Sequence, residues 1–140
     1  MTEFTTNMNK EAAVFFMRAL LGVLFLFQGY DKIFVVKTDG VMNTFYDFFA
    51  HKKIPSWLMR VVITLSSYIE FIGGVLLLIG FQRELTLYFL GLDLLFAAFA
   101  FSLIKPMWDM QFYFPRFLLL ILLLLLPKEW DRFSIDALLS

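Results

Sequence analysis

Apolar residues in this chain come in long runs broken by short polar stretches, and the runs have the length of a bilayer's hydrocarbon core. The first, "EAAVFFMRALLGVLFLFQGY", covers Glu11 to Tyr30. A second runs from about Trp57 to Phe81, and a third from Glu84 to Ile104 after only Gln82 and Arg83. In a helix rising 1.5 Å per residue, about 20 apolar residues cross a layer of roughly 30 Å. So short a link between the second and third runs implies an antiparallel hairpin. The fourth run is purely apolar only over "FLLLILLLLL", Phe117 to Leu126, which is too short to cross alone. Its helix is therefore expected to begin near Met107 and to carry Arg116 and Pro115, with a kink at the proline.

The one long connection, Asp31 to Ser56, contains "VMNTFYDFFAHKKIP". Met42, Phe45, Tyr46, Phe48 and Phe49 share a broad face at helical spacing, while Asn43, Asp47 and Lys52 fall elsewhere. This pattern predicts a short helix over about 41–52, lying in the membrane interface or packed over the mouth of a bundle. Pro127 stops the last helix, and "PKEWDRFSIDALLS" then reads as a short amphipathic tail that docks on the membrane surface or on a partner. Trp57, Trp108 and Trp130 fall near helix ends, as interface anchors do. The expectation is an all-α, polytopic membrane protein, a single domain over 1–140. Its four-helix bundle has membrane helices over about 11–32, 57–81, 84–104 and 107–126, with a short interfacial helix between the first two.

Composition strengthens this reading and removes several function classes. Hydrophobic residues make up 61% of the 140, against roughly 45–50% in an ordinary soluble domain, and the mean hydropathy is +0.78. Twelve bases balance twelve acids, so the basic footprint of a nucleic-acid binder is missing. With no cysteine, the chain has no disulfide, thiolate metal site or dithiol centre of its own. His51 is the only histidine and stands beside two lysines, which argues for a solvated group and against a metal site. The bases on the two sides of the bundle do not separate enough to fix an orientation.

The charges inside the runs carry the chemistry. Counted from the expected helix ends, Arg18 lies about 10 Å from the terminal-side surface, Asp93 about 13 Å, and Glu70 and Arg116 about 16 Å. Two acids and two arginines, one from each helix, thus share a band of depth and sum to zero. An Arg or Asp at a helix centre costs about 2.5–3.5 kcal/mol on insertion scales. Arg18 has a stem long enough to reach the headgroups, but Glu70 and Asp93 do not, so they are expected to be paired, protonated or lining a polar cavity. Small residues accompany each charge. Gly22 and Gly29 continue the stripe of Arg18, Gly73 and Gly74 follow Glu70, and Ala97 and Ala100 follow Asp93. Such residues let membrane helices approach closely. Arg18, Glu70, Asp93 and Arg116 are therefore the candidate polar cluster, and Gly22, Gly29, Gly73 and Gly74 the candidate packing residues.

The same residues carry a family resemblance. "RALLGVLFLFQGYDKI" resembles the first-helix pattern of the DoxX family, an arginine followed by Gly and later by Gly with Lys close behind. "EFIGGVLLLIGFQRE" is similar to that family's second-helix signature, Glu-x-x-Gly-Gly with a downstream Gly and a base at the hairpin. The resemblance implies a compact four-helix protein of the bacterial cytoplasmic (inner) membrane with both termini cytoplasmic, and it maps the family's intramembrane Arg and Glu onto Arg18 and Glu70. It also implies a redox neighbourhood, since members are linked to thiosulfate:quinone oxidoreductase subunits and redox-associated membrane complexes.

Three functions follow as expectations. The first is a non-catalytic accessory or anchoring subunit of a membrane complex, with lipids and other subunits as partners, no cofactor in its own chain, and a quinone or lipid as the candidate molecule it presents. The second is a small carrier or receptor that binds a lipid-like or amphiphilic ligand at the polar cluster. The third is an ion network that only fixes helix arrangement. No spacing marks a nucleophile or an oxyanion site, so an enzyme acting with its own side chains ranks last.

Overall fold

The first helix begins before the apolar run does. Thr2 caps it, its side chain accepting from the Thr5 amide, so the polar segment ahead of Glu11 forms the opening turns of α1, Glu3–Tyr30. A hydroxyl at this position satisfies one of the amides that a helix start leaves unpaired. The computed structural model describes residues 2–102 and 110–140, and every element among them is helical. Trp108 and the expected start of the fourth helix at Met107 lie outside the described residues.

At Tyr30 the helix widens into a π turn, Asp31–Val35, and the chain then reverses through Lys37, whose φ is 61°. The single helix expected over 41–52 is two short ones, α2, Lys37–Thr44, and α3, Tyr46–Lys52. They part at Phe45, where φ −105° and ψ 6° leave the helical range. α2 packs on the next long helix, α4, Ser56–Ile79. An exposed ion pair from Asp39 to Arg60 at 2.6 Å and a contact of 3.3 Å between the Thr38 and Thr64 hydroxyls join the two.

α4 ends on Gly80 at φ 71°, with the Phe81 amide donating to Leu76 O at 2.9 Å and the Gly80 amide to Leu77 O at 3.2 Å. Only glycine enters this left-handed cap cheaply. α5, Arg83–Ser102, follows at once, then α6, Met110–Leu125, with Pro115 inside it. The tail is a 3₁₀ turn, Lys128–Trp130, and a last short helix, α7, Ile135–Leu139, capped by the Ser134 hydroxyl.

α1 runs antiparallel along α4 at backbone contact. A Cβ on Gly29 would strike the backbone of Phe71, one on Gly74 the backbone of Leu26, and one on Gly22 would press on Leu78. Gly73 faces Leu90 of α5. α5 also packs on α6, and α6 closes onto α1. Phe25 and Leu21 of α1, Leu77 of α4, Leu90 and Leu94 of α5 and Leu123 of α6 are buried in one shared core. The outside is apolar as well: Phe27, Leu65, Ile72, Phe89 and Phe96 are exposed. A helix that is hydrophobic all round requires a hydrophobic solvent. Glu3–Val35 and Ser56–Ile79 are long and apolar enough to cross a membrane, and Tyr113–Leu125 is a shorter apolar helix.

Candidate functional site

Gln28 and Lys32 stand one helical turn apart, so both side chains leave the same face of α1 and its π turn. That face meets Glu70 of α4, which is 1% exposed. The Gln28 side-chain amide donates to Glu70 Oε1 at 3.0 Å. Lys32 Nζ lies 3.0 Å from Oε1 and 2.9 Å from Oε2, spanning the carboxylate. A charge-assisted contact of this kind is what makes an ionised acid tolerable away from water. Asp93 of α5 is also buried, with Ser66, Lys32 and Glu70 as its polar neighbours. Arg116, half-buried on α6, acts on Glu70 through space from farther off. Among the described residues of this group, Gln28 Oε1, Glu70 Oε2 and Asp93 Oδ2 are buried and receive no hydrogen bond.

A cavity of about 630 Å³ opens beside this group, between α1, α4, α5 and the segment that carries α2. Its volume lies in the range of small-molecule sites, roughly 300–1,000 Å³. The walls are apolar, with Val62 and Ile69 from α4, Leu92 and Phe96 from α5, and Val36 and Phe45 from the connecting segment. Polarity enters with Gln28, Lys32, Ser66 and Asp93, and with the hydroxyl-bearing Thr44 and Tyr113. Ala97 and Ala100, a turn and two turns beyond Asp93, line the cavity too and keep it open.

Arg18 belongs to a different group. It is completely buried and its Nε donates to Asp131 Oδ1 at 3.0 Å. Its other nitrogens donate to the carbonyls of Leu77, of Leu78 at 2.9 Å and of Phe133 at 2.5 Å. The guanidinium thus meets the last carbonyls of α4, where both open acceptors and the helix dipole favour a cation. Arg83 shares the same carboxylate, NH1 reaching Asp131 Oδ2 at 3.4 Å, and donates to Leu126 O at 2.8 Å. Asp136 accepts from the amides of Gln82 at 2.9 Å and Arg83 at 3.0 Å, capping α5. The tail is a strap that ties the α4–α5 hairpin to α1.

The four charges expected in one cluster are therefore divided, and the register of α1 on α4 is the reason. Gly22 opposite Leu78 and Gly29 opposite Phe71 put Arg18 level with residue 82 and Glu70 level with residue 30. The two are twelve residues apart along the helix axis, roughly 18 Å. Glu70 and Asp93 do come together, with Arg116 at longer range. Sequence reasoning missed Lys32, Gln28 and Asp131. The buried stripe of Arg18, Leu21, Phe25 and Gly29 extrapolates to position 32, so the signal for Lys32 was present. Asp131 gave none, being one charge among several in a polar tail.

A family model for DoxX matches residues 13–103, about two thirds of the chain. The chain belongs to the DoxX family. With its apolar helices, membership makes this an integral membrane protein. The DoxX match takes in Arg18, Lys32, Glu70 and Asp93, while Arg116 and Asp131 lie beyond it. Among curated proteins and among solved structures, none matches this DoxX chain.

Proposed function

We propose that this DoxX protein is a carrier or receptor for an amphiphilic small molecule drawn from the membrane. The molecule's chain lies among Val62, Ile69, Leu92 and Phe96, and its head rests against Lys32, Ser66 and Asp93. The observation that carries this reading is the cavity itself, apolar along its walls with polar groups of three helical segments brought together at its edge. Leu92 and Phe96 of its wall are also exposed on the outer face of the bundle, so the cavity is a cleft open toward the acyl tails, from which an amphiphile can enter sideways.

A role as an accessory or anchoring subunit is compatible with it. A quinone in its reduced, hydroxyl-bearing form is itself an amphiphile of this shape, and a subunit that presents one to a redox partner needs no redox centre of its own. In this reading the protein lies in the bacterial inner membrane with both termini cytoplasmic, four helices crossing, and the strap around Arg18 on the cytoplasmic side.

The test is extraction and mass spectrometry of the full chain purified in lipid nanodiscs. The wild type is expected to retain one amphiphile well above its share of the bulk lipid. Ala97→Phe fills the cavity and is expected to lose it with little change in thermal unfolding. A wild-type extract that mirrors the bulk lipid overturns the proposal, and so does equal retention by the filled variant.

A further inference from the structure

Two acceptors on the residues that line the cavity lack a hydrogen-bond donor among the described residues. Lys32 directs its ammonium to both oxygens of Glu70, and the Gln28 amide nitrogen donates to the same carboxylate. Both hydrogen bonds fall on Glu70 Oε1, while Oε2 has the ammonium at 2.9 Å but no hydrogen bond among the described residues; Glu70 does not line the cavity. Gln28 Oε1 and Asp93 Oδ2, both on cavity-lining residues, remain buried acceptors with no donor among the described residues. Asp93 is only 6% exposed. Turning the Gln28 amide over does not cure this, because it would set its oxygen against Glu70, acceptor to acceptor. Ser66 has a single proton to give, and one proton serves one oxygen.

From this we infer that the molecule held in the cavity has a hydrogen-bond-donating head, an alcohol or an amine, in place of an acceptor-only or anionic one. The inference rests on the binding reading above. Among the described residues the charged groups facing this region are Glu70 and Asp93 on one side and, on the other, Lys32, already turned to Glu70, with the more distant Arg116, so no free cation waits for an anionic head. A carboxylate or phosphate head would add a third anion and leave both acceptors unpaired. An ester or ether would bring acceptors to acceptors. A hydroxyl or ammonium supplies what is missing, and each buried acceptor left without a partner costs enough to change affinity about tenfold or more.

Photolabelling in phosphatidylcholine nanodiscs tests this with the full chain. The probes share one long alkyl chain bearing a diazirine and differ only in the head: alcohol, primary amine, methyl ether or carboxylate. Mapped by peptide, the alcohol and amine are expected to label the segments around Met59 and Ile69 at least about tenfold more than the ether and carboxylate. Asp93→Asn replaces an acceptor by an N–H donor, so the alcohol-to-ether ratio is expected to fall toward one. Gln28→Met removes the other acceptor and is expected to move the ratio the same way, which keeps the test open should the first variant not fold. Equal labelling by alcohol and ether overturns the inference while leaving the binding reading intact, and means that water meets the two acceptors. A ratio unchanged in a folded variant also overturns it. If no head labels the cavity, the binding reading fails and takes the inference with it.

Discussion

Lys32 is the residue on which the buried carboxylate at position 70 depends. Replacing it with methionine leaves Glu70 buried with one neutral donor, and removing one partner of a buried ion pair typically costs about 3–5 kcal/mol. Lys32→Met should therefore lower the thermal midpoint in detergent sharply. Adding Glu70→Gln should return most of the loss, because an absent pair is cheaper than a broken one. Double-mutant cycles on the same assay separate the two polar groups. Arg18 with Asp131 should show a coupling of about 1 kcal/mol or more, and Arg18 with Glu70 a coupling within about 0.5 kcal/mol of zero. A large coupling in the second cycle would contradict the register of α1 on α4. At this scale the sequence announced that Glu70 and Asp93 must be compensated, since neither can reach water. It did not say by whom, because the spacing of residues within one helix carries nothing about its rotation and offset against another.

The helix pair α1 and α4 is held by glycine, and substitutions there should separate close approach from helix propensity. Gly29→Ala puts a methyl against the Phe71 backbone, where no side-chain rotamer relieves it, and should destabilise by about 1–3 kcal/mol. Gly91→Ala meets only the Leu120 side chain at 3.5 Å and gains helix propensity, so it should be neutral or stabilising by up to about 1 kcal/mol. Thermal unfolding of the two variants side by side decides the matter, and similar midpoints would remove the close contact from the account. The long helices were legible because apolar runs of that length have few alternatives. α1 started earlier than its hydrophobicity because Thr2 caps it, an effect of one side chain that hydropathy does not register. The connecting segment broke at Phe45 into two short helices, because a pattern of faces gives periodicity and does not reveal one residue leaving the helical range between two helical stretches.

On the scale of the whole molecule, the last residues finish a structure begun by the first. Asp131 receives two arginines from α1 and α5, and Asp136 caps α5. A chain ended after Leu126 keeps all its long helices yet deprives Arg18 and Arg83 of their carboxylate and uncovers the end of the bundle where they lie. It should elute as aggregate after mild heating in size-exclusion chromatography, whereas Asp136→Ala, which removes only the cap, should cost about 1 kcal/mol. A truncated chain as stable as the full one would show the strap to be decoration.

Arg18 and Asp131 are separated by 113 positions, and at about 5–20 residues per second the ribosome needs roughly 6–23 s to travel from one to the other. Throughout that interval the arginine is already entering the bilayer with its counter-ion still unmade. Its flexible stem can wait at the headgroups, so docking of the C-terminal strap is the step expected to draw the cation inward.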